Sequence, residues 1–245
     1  MICDNAIEGV PVRAHFKTWL TAALPNRAPE TSPLPVCPGK LAPAKRRLME
    51  RASISLLTIC GLEELDEHSS RGVTHVLSIL DPAWPDPPAF ERYDAHHRMV
   101  LRFHDVIEPG PGLIMPEVEH VEAVLGFIDD LLAEERRHQD GHVLIHCHAG
   151  ISRSTAAMAM LLAKTYPDLD EGALMERLFA IRAKAWPNSR MIGFADEILG
   201  RGGRLSEAAR QLHARQLAIR PNLAQLMRDL GRGREVDAAL GAKAA

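Results

Sequence analysis

Cysteine is scarce in this chain, and each one is isolated. Cys3, Cys37, Cys60 and Cys147 are spread over 245 residues. None belongs to a CxxC pair or lies at metal-ligand spacing from the histidines, so neither a disulfide framework nor a metal site is indicated. That usage suits a reducing, cytoplasmic setting. Charge of one sign is lacking too: 29 Lys and Arg against 32 Asp and Glu leave a net −3, which gives no electrostatic ground for binding nucleic acid or an anionic membrane. No run approaches the ~20 apolar residues of a membrane span. The N-terminus lacks the basic and apolar blocks of a signal peptide, and no internal repeat is present. What remains is a 46% hydrophobic, 25% charged sequence of ordinary globular composition. It is long enough for one domain whose core needs no staples.

Residues 1–48 differ from the rest. Six prolines between positions 25 and 43 interrupt any regular structure, so this segment is expected to be a flexible extension, and Met49 is an alternative start. From residue 54 the pattern sharpens. Residues 54–59 predict a buried strand, 61–71 a helix stopped at Gly72, and 73–79 a second strand; strand, helix and strand in so short a span indicate a parallel sheet. The proline-dense stretch 81–88 is a loop. A third strand over 97–103 ends at His104 and Asp105. Apolar residues at helical spacing then fill 116–139, and Asp140-Gly141 turns the chain into a central strand, 142–146. Two further helices are expected over 169–184 and from Pro187 to 199. The arginine- and alanine-rich stretch from 201 has only helical patches.

The chain is organised around ten residues, His146-Cys147-His148-Ala149-Gly150-Ile151-Ser152-Arg153-Ser154-Thr155. An apolar strand leads in and a helical pattern leads out. At a helix N-terminus, backbone N–H groups and the macrodipole favour an anion. Gly150 supplies the freedom a ring-like loop needs. Cys147 lies where such a field favours the thiolate, the nucleophilic form. Arg153 offers a planar fork to two phosphate oxygens. The stretch predicts a thiolate aimed into a phosphate cradle, with the amides of His148, Ala149, Gly150, Ile151, Ser152 and Arg153 carrying most of the recognition.

His-Cys-x5-Arg-Ser, in the fuller form HCHAGISRS, resembles the signature loop of the cysteine-based protein tyrosine phosphatases, most closely their compact, dual-specificity-like branch. The run from Pro187 through Arg204 is also similar to uncharacterised bacterial members. The resemblance covers roughly residues 54–204. It implies an attacking Cys147, a phosphocysteine intermediate, and an aspartate on a separate loop as general acid. It also implies a hydroxyl, Ser154, that stabilises the departing thiolate, and a supporting His146 that orients the loop. In compact members a Pro-Asn follows the loop, and Asn188 has that position. It either faces the active site, positioning water, or is a plain helix cap.

Loss of an ester oxygen calls for a proton, and two loops offer a carboxyl group. Trp84-Pro85-Asp86 spells the tripeptide of the acid loop in tyrosine-specific members, but it lies 61 residues before Cys147 with a strand still to come. Asp105, 42 residues before Cys147, ends the strand that precedes the long helix, as the acid does in compact members. Asp105 is therefore the expected acid, Glu108 its reserve, and Asp86 a coincidental turn residue.

These features predict an α/β domain of three layers over 49–204, with a mostly parallel sheet flanked by helices and the site at the carboxyl ends of its strands. A helical or partly disordered tail, 205–245, follows. The expected function is metal-independent phosphate monoester hydrolysis, without cofactor, on a phosphorylated protein or peptide or a small phosphate ester. No nucleic acid or membrane partner is expected. The alternatives are a pseudophosphatase that binds phosphate without turnover, a phosphoinositide phosphatase, and a reductase using Cys60 as its second thiol. The loop lacks the lysines of phosphoinositide-selective members.

Overall fold

Parallel strands need crossover connections, and here two short 3-10 helices and one long α-helix lie between the first strand and the last, with the remaining described helices following it. In the computed structural model, which describes residues 54–135 and 141–241, four strands form one sheet: β1 (Ile54–Cys60), β2 (His75–Leu80), β3 (His97–Arg102) and β4 (Gly141–His146). Their order is β1-β4-β2-β3 and all three pairings are parallel. The proline-rich extension, the alternative start at Met49, and Cys3 and Cys37 lie outside the described residues.

The two inner strands are apolar almost throughout because both faces are covered. Val143, Ile145, Leu77 and Ile79 point into a large core built with the α-helices, whereas Leu144 and Val76 point into a smaller one on the other face. The larger core takes α1 (Val118–Glu135), α2 (Arg153–Thr165), α3 (Glu171–Ile181) and α4 (Ser189–Ile198). The smaller core is roofed by two short 3-10 helices, Leu62–His68 and Pro88–Arg92. The result is a three-layer α/β arrangement with an all-parallel sheet.

The first 3-10 helix stands where the periodicity predicts an α-helix. Its opening N–H groups are drawn elsewhere: Gly61 N donates to the Glu64 carboxylate at 2.6 Å and Leu62 N to the His148 carbonyl at 2.9 Å. Its first residue is thereby tied to the signature loop. Pro187 does not open α4; Asn188 is the N-cap and helical residues begin at Ser189. Beyond residue 203 the chain forms α5 (Arg204–Ile219), α6 (Leu223–Asp229) and α7 (Gly233–Gly241), with α5 packed on α4 and α3 and α7 packed on α5. Asp196 starts α5: its two carboxylate oxygens accept from Gly203 N and Ser206 N, each at 2.7 Å. No described helix is long and apolar enough to cross a membrane.

Candidate active site

All four strands deliver a residue to one end of the sheet. Cys147 follows β4, Gly61 follows β1, Asp81 follows β2, and Phe103 to Asp105 follow β3. In an open parallel sheet this carboxyl edge is where ligands bind.

The loop from Cys147 to Ser152 is held from outside, through its carbonyls. His148 O accepts from Leu62 N, and Ile151 O from Trp186 N at 2.8 Å. Arg182 donates to Gly150 O at 2.9 Å and Ala149 O at 3.2 Å while its fork grips Glu64. Ser152 O accepts from Ala156 N at 2.9 Å, and the Thr155 hydroxyl donates to both Ile151 O and Ser152 O. Five successive carbonyls thus face away from the ring. Because a trans peptide points its C=O and N–H in opposite directions, the intervening amides face inward. Gly150 makes this possible. Its φ is +66°, and a Cβ there would lie 2.4 Å from the carbonyl carbon of Cys60.

Cys147 is buried, and its Sγ lies 3.2 Å from the Ser154 hydroxyl at the first turn of α2. Arg153 is buried as well. One guanidinium nitrogen donates to Asp81 at 2.7 Å and to the Phe103 carbonyl, while its Nε has no hydrogen-bond partner among the described residues. His146 points to the smaller core, where Nε2 lies 2.7 Å from Ser78 Oγ; burial, with Arg98, His148 and Arg153 adding to it, pushes the ring down to about 3. A ring lowered that far is uncharged at neutral pH. His148 is lowered to about 4, by burial first and Arg153 second, against the pull of Asp81 and Asp105. The Asp81 amide donates to its Nε2 at 3.1 Å, and the Trp84 ring packs on it with centroids 4.5 Å apart.

Asp105 and Asn188 meet beside the loop. Asp105 Oδ1 accepts from Ser152 Oγ at 2.7 Å, Asn188 Nδ2 at 2.9 Å and Arg232 Nη1 at 3.0 Å. Burial pushes this carboxyl up, but the Arg232 and Arg153 cations and the bonds from Asn188 and Ser152 outweigh it and hold the group below the usual carboxylate range. Asn188, fully buried, is the N-cap of α4, with Oδ1 accepting from Arg190 N and Met191 N, and its Nδ2 donates to Asp105. Asp86 is spent elsewhere, on Arg102 at 2.6 Å and Arg98 at 3.6 Å on β3. Glu108 lies 3.6 Å from Arg234. His104 closes the intervening loop by exchanging hydrogen bonds with Ile114.

Sequence reasoning missed Asp81, Arg182, Arg232 and Glu235. Asp81 had a signal, since it sits at the carboxyl end of a predicted strand. Arg182 is one arginine among many on a helix end. Arg232 and Glu235 lie in the unassigned tail, yet they reach the site. Arg232 donates to Ser152 Oγ at 2.9 Å and to Glu235 at 2.7 Å, and Glu235 also receives Ser189 N at 2.8 Å and the Trp186 indole. Cys60 packs in the smaller core and Cys147 in the larger, and burial pushes the Cys60 thiol far up. Among the described residues no cluster of three or more His, Cys, Asp or Glu is arranged to hold a metal ion.

No family model matches the chain. Over 98 residues, 38% of its length, it is 35% identical to dual specificity protein phosphatase 12 of Mus musculus. The chain spans about a quarter (24%) of the length of that relative. Among solved structures it is similar to human DUSP28, with a TM-score of 0.45 and 17% identity over 61% of this chain and 92% of that one. It is also similar to DUSP15, at 0.43 and 22% over 67% and 94%. The human tyrosine phosphatase-like serine/threonine/tyrosine-interacting protein gives 0.43 and 19% over 61% and 94%. Structural likeness at this level carries nothing about chemistry. In sequence, over part of its length, the chain is similar to a dual-specificity phosphatase.

Proposed function

We propose that the chain hydrolyses phosphate monoesters through a phosphocysteine, in the manner of the tyrosine and dual-specificity phosphatases. The observation that carries this reading is the ring of outward-bound carbonyls from His148 to Ser152, which turns the loop amides inward around the sulfur of Cys147. Such preorganised donors stabilise the charge that spreads over the equatorial oxygens of a transferring phosphoryl group. Arg153 Nε, buried and without a hydrogen-bond partner among the described residues, is the charged donor this reading assigns to the same cradle. The match to a dual-specificity phosphatase over 98 residues agrees with it.

In the first step the Cys147 sulfur attacks phosphorus, an S–P bond forms, the P–O ester bond breaks, and the leaving oxygen takes a proton from the Asp105 carboxyl. In the second step water attacks phosphorus, Asp105 takes a proton back, the S–P bond breaks, and the departing sulfur is met by the Ser154 hydroxyl. All three hydrogen bonds to Asp105 fall on Oδ1, so Oδ2 is the oxygen that moves the proton. Neither step calls for a metal. Phosphorylated proteins or peptides, or small phosphate esters, in the cytoplasm are the substrates that fit this reading.

A second reading has one observation in its favour. Ser152, Asn188 and the Arg232 cation all donate to Asp105, an arrangement that favours its ionised form, whereas the acid of the first step must carry a proton. A phosphate-binding pseudophosphatase follows if that grip never loosens. Hydrolysis of p-nitrophenyl phosphate in EDTA separates the two readings. Turnover in the wild type that is lost in Cys147→Ser and much reduced in Asp105→Asn supports the hydrolase; phosphate binding without turnover supports the pseudophosphatase. A phosphopeptide, with its poorer leaving group, is the stricter test of Asp105.

A further inference from the structure

The helices after α4 carry no residue of the signature loop, yet one of their arginines enters the site. Arg232 lies in the turn between α6 and α7, and its side chain is 3% exposed. One terminal nitrogen bonds both Asp105 Oδ1 and Ser152 Oγ, and the other bonds Glu235. Glu235 in turn ties down the amide of Ser189 and the indole of Trp186, the residues on either side of Pro187-Asn188. His213 of α5 stacks on Trp186, centroids 4.2 Å apart, and bonds Pro187 O at 3.0 Å. A buried ion pair of this kind is costly to assemble, and replacing it by apolar residues is often neutral for stability. Stability is therefore a weak reason for an arginine here.

We propose that Arg232 is a positioning residue for Asp105: by claiming Oδ1 together with Asn188 and Ser152, it leaves Oδ2 as the oxygen that gives and takes the proton, and it sets the pH range in which that proton is present. This rests on the reading of Asp105 as proton carrier. The geometry supports it because the three donors reach one oxygen from three different segments: the signature loop, the cap of α4 and the turn before α7. Protonation at Oδ2 leaves Oδ1 a carbonyl oxygen that still accepts from all three, so orientation persists through the proton's arrival and departure. The charged and titratable groups around Asp105 are Arg232 from the α6–α7 turn, Arg153 and His148 from the loop, His104 beside it in the chain, and Glu235 behind Arg232. Asp81 faces Arg153 and His148 from the end of β2. Burial lowers the Arg232 guanidinium, but Glu235 and Asp105 outweigh it and raise it further, so it stays a cation at any working pH. Its charge holds the Asp105 carboxylate, which suits the second step and opposes the first.

The test follows the Asp105 carboxyl by carbon NMR in full-length protein labelled at aspartate, with Asp105→Asn assigning the signal, and follows the alkaline limb of kcat/KM in parallel. Arg232→Gln alone leaves Glu235 as an unpaired buried charge, so the informative variant is Arg232→Gln/Glu235→Gln, with Glu235→Gln as its control. The expected result is that the double variant titrates Asp105 at higher pH than wild type and moves the alkaline limb up with it, with a lowered kcat and little change in KM. Glu235→Gln leaves the Asp105 titration where it was or lowers it. Arg232→Lys, which keeps the charge without the fork, holds the titration low while kcat falls, and it serves as the test if the double variant does not fold. An Asp105 titration unmoved in the double variant, or a kcat unmoved in Arg232→Lys, overturns the inference. Wild type without turnover would instead sink the hydrolase reading, and the carboxyl titration would still decide the role of Arg232 as charge partner.

Discussion

Asn188 uses its two amide atoms for two different purposes, and a pair of substitutions can take them apart. Its oxygen caps α4 through Arg190 N at 3.1 Å and Met191 N at 3.2 Å, and its nitrogen donates to Asp105 at 2.9 Å and Val106 O at 3.3 Å. Serine is as good an N-cap as asparagine, whereas alanine forfeits about 1 kcal/mol. A buried hydrogen bond to a charged group is worth about 1.5–3 kcal/mol. Asp105 keeps Ser152 and Arg232 in either variant, so the lower end applies. Asn188→Ser is therefore expected to lose about 1.5 kcal/mol and Asn188→Ala about 2.5 kcal/mol in urea unfolding at neutral pH. The pH dependence has a definite sign. Asp105 is held below its ordinary range, so its contribution is complete above the carboxyl's unfolded value and fades as pH falls through the lowered folded one. The deficit of Asn188→Ser should accordingly shrink in acid while the extra deficit of Asn188→Ala persists. In turnover the serine variant should lower kcat in the wild-type background and change little in an Asp105→Asn background, the mark of two residues acting as one unit. A serine variant as stable and as active as wild type would refute the whole account of this corner.

Gly150→Ala should cost at least about 2 kcal/mol and remove activity, because φ is +66° and the added methyl would meet the backbone of Cys60 and Gly61 rather than a side chain that can move; thermal unfolding and turnover check it. Arg182→Met frees two loop carbonyls and the Glu64 carboxylate, with an expected loss of about 2–3 kcal/mol and a fall in kcat, both read against the same assays. Asp86→Asn should leave turnover unchanged and stability within about 1 kcal/mol, since its partners Arg98 and Arg102 lie on an edge strand in contact with solvent. A marked loss of kcat in Asp86→Asn would return the acid role to the Trp84-Pro85-Asp86 turn.

The sheet and the signature loop were legible because each announces itself locally. Strands such as 75–80 and 141–146 are apolar on both faces, and HCHAGISRS carries its glycine, arginine and hydroxyls within nine residues. The helix expected over 61–71 follows from pattern, but its tie to the signature loop is a hydrogen bond to His148, 86 positions away from Leu62, which no local window contains. Asn188 could be recognised as cap or site residue but not as both, since that requires knowing that β3 ends within reach of α4. Arg232 had no local signal at all. Its partners are Asp105, Ser152 and Glu235, and only the last is near it in sequence, so nothing in the window around it distinguishes it from Arg228 or Arg234. Long-range charge pairing of this kind is a property of the folded interior, not of periodicity.

Arg232 lies 85 residues beyond Cys147, and this has a consequence for the life of the protein before it is finished. On the ribosome the sheet, the signature loop and Asp105 are all made before the turn that holds Arg232. A chain cut short before that turn would keep every strand and the whole loop, yet lose one of the three donors that meet at Asp105 Oδ1.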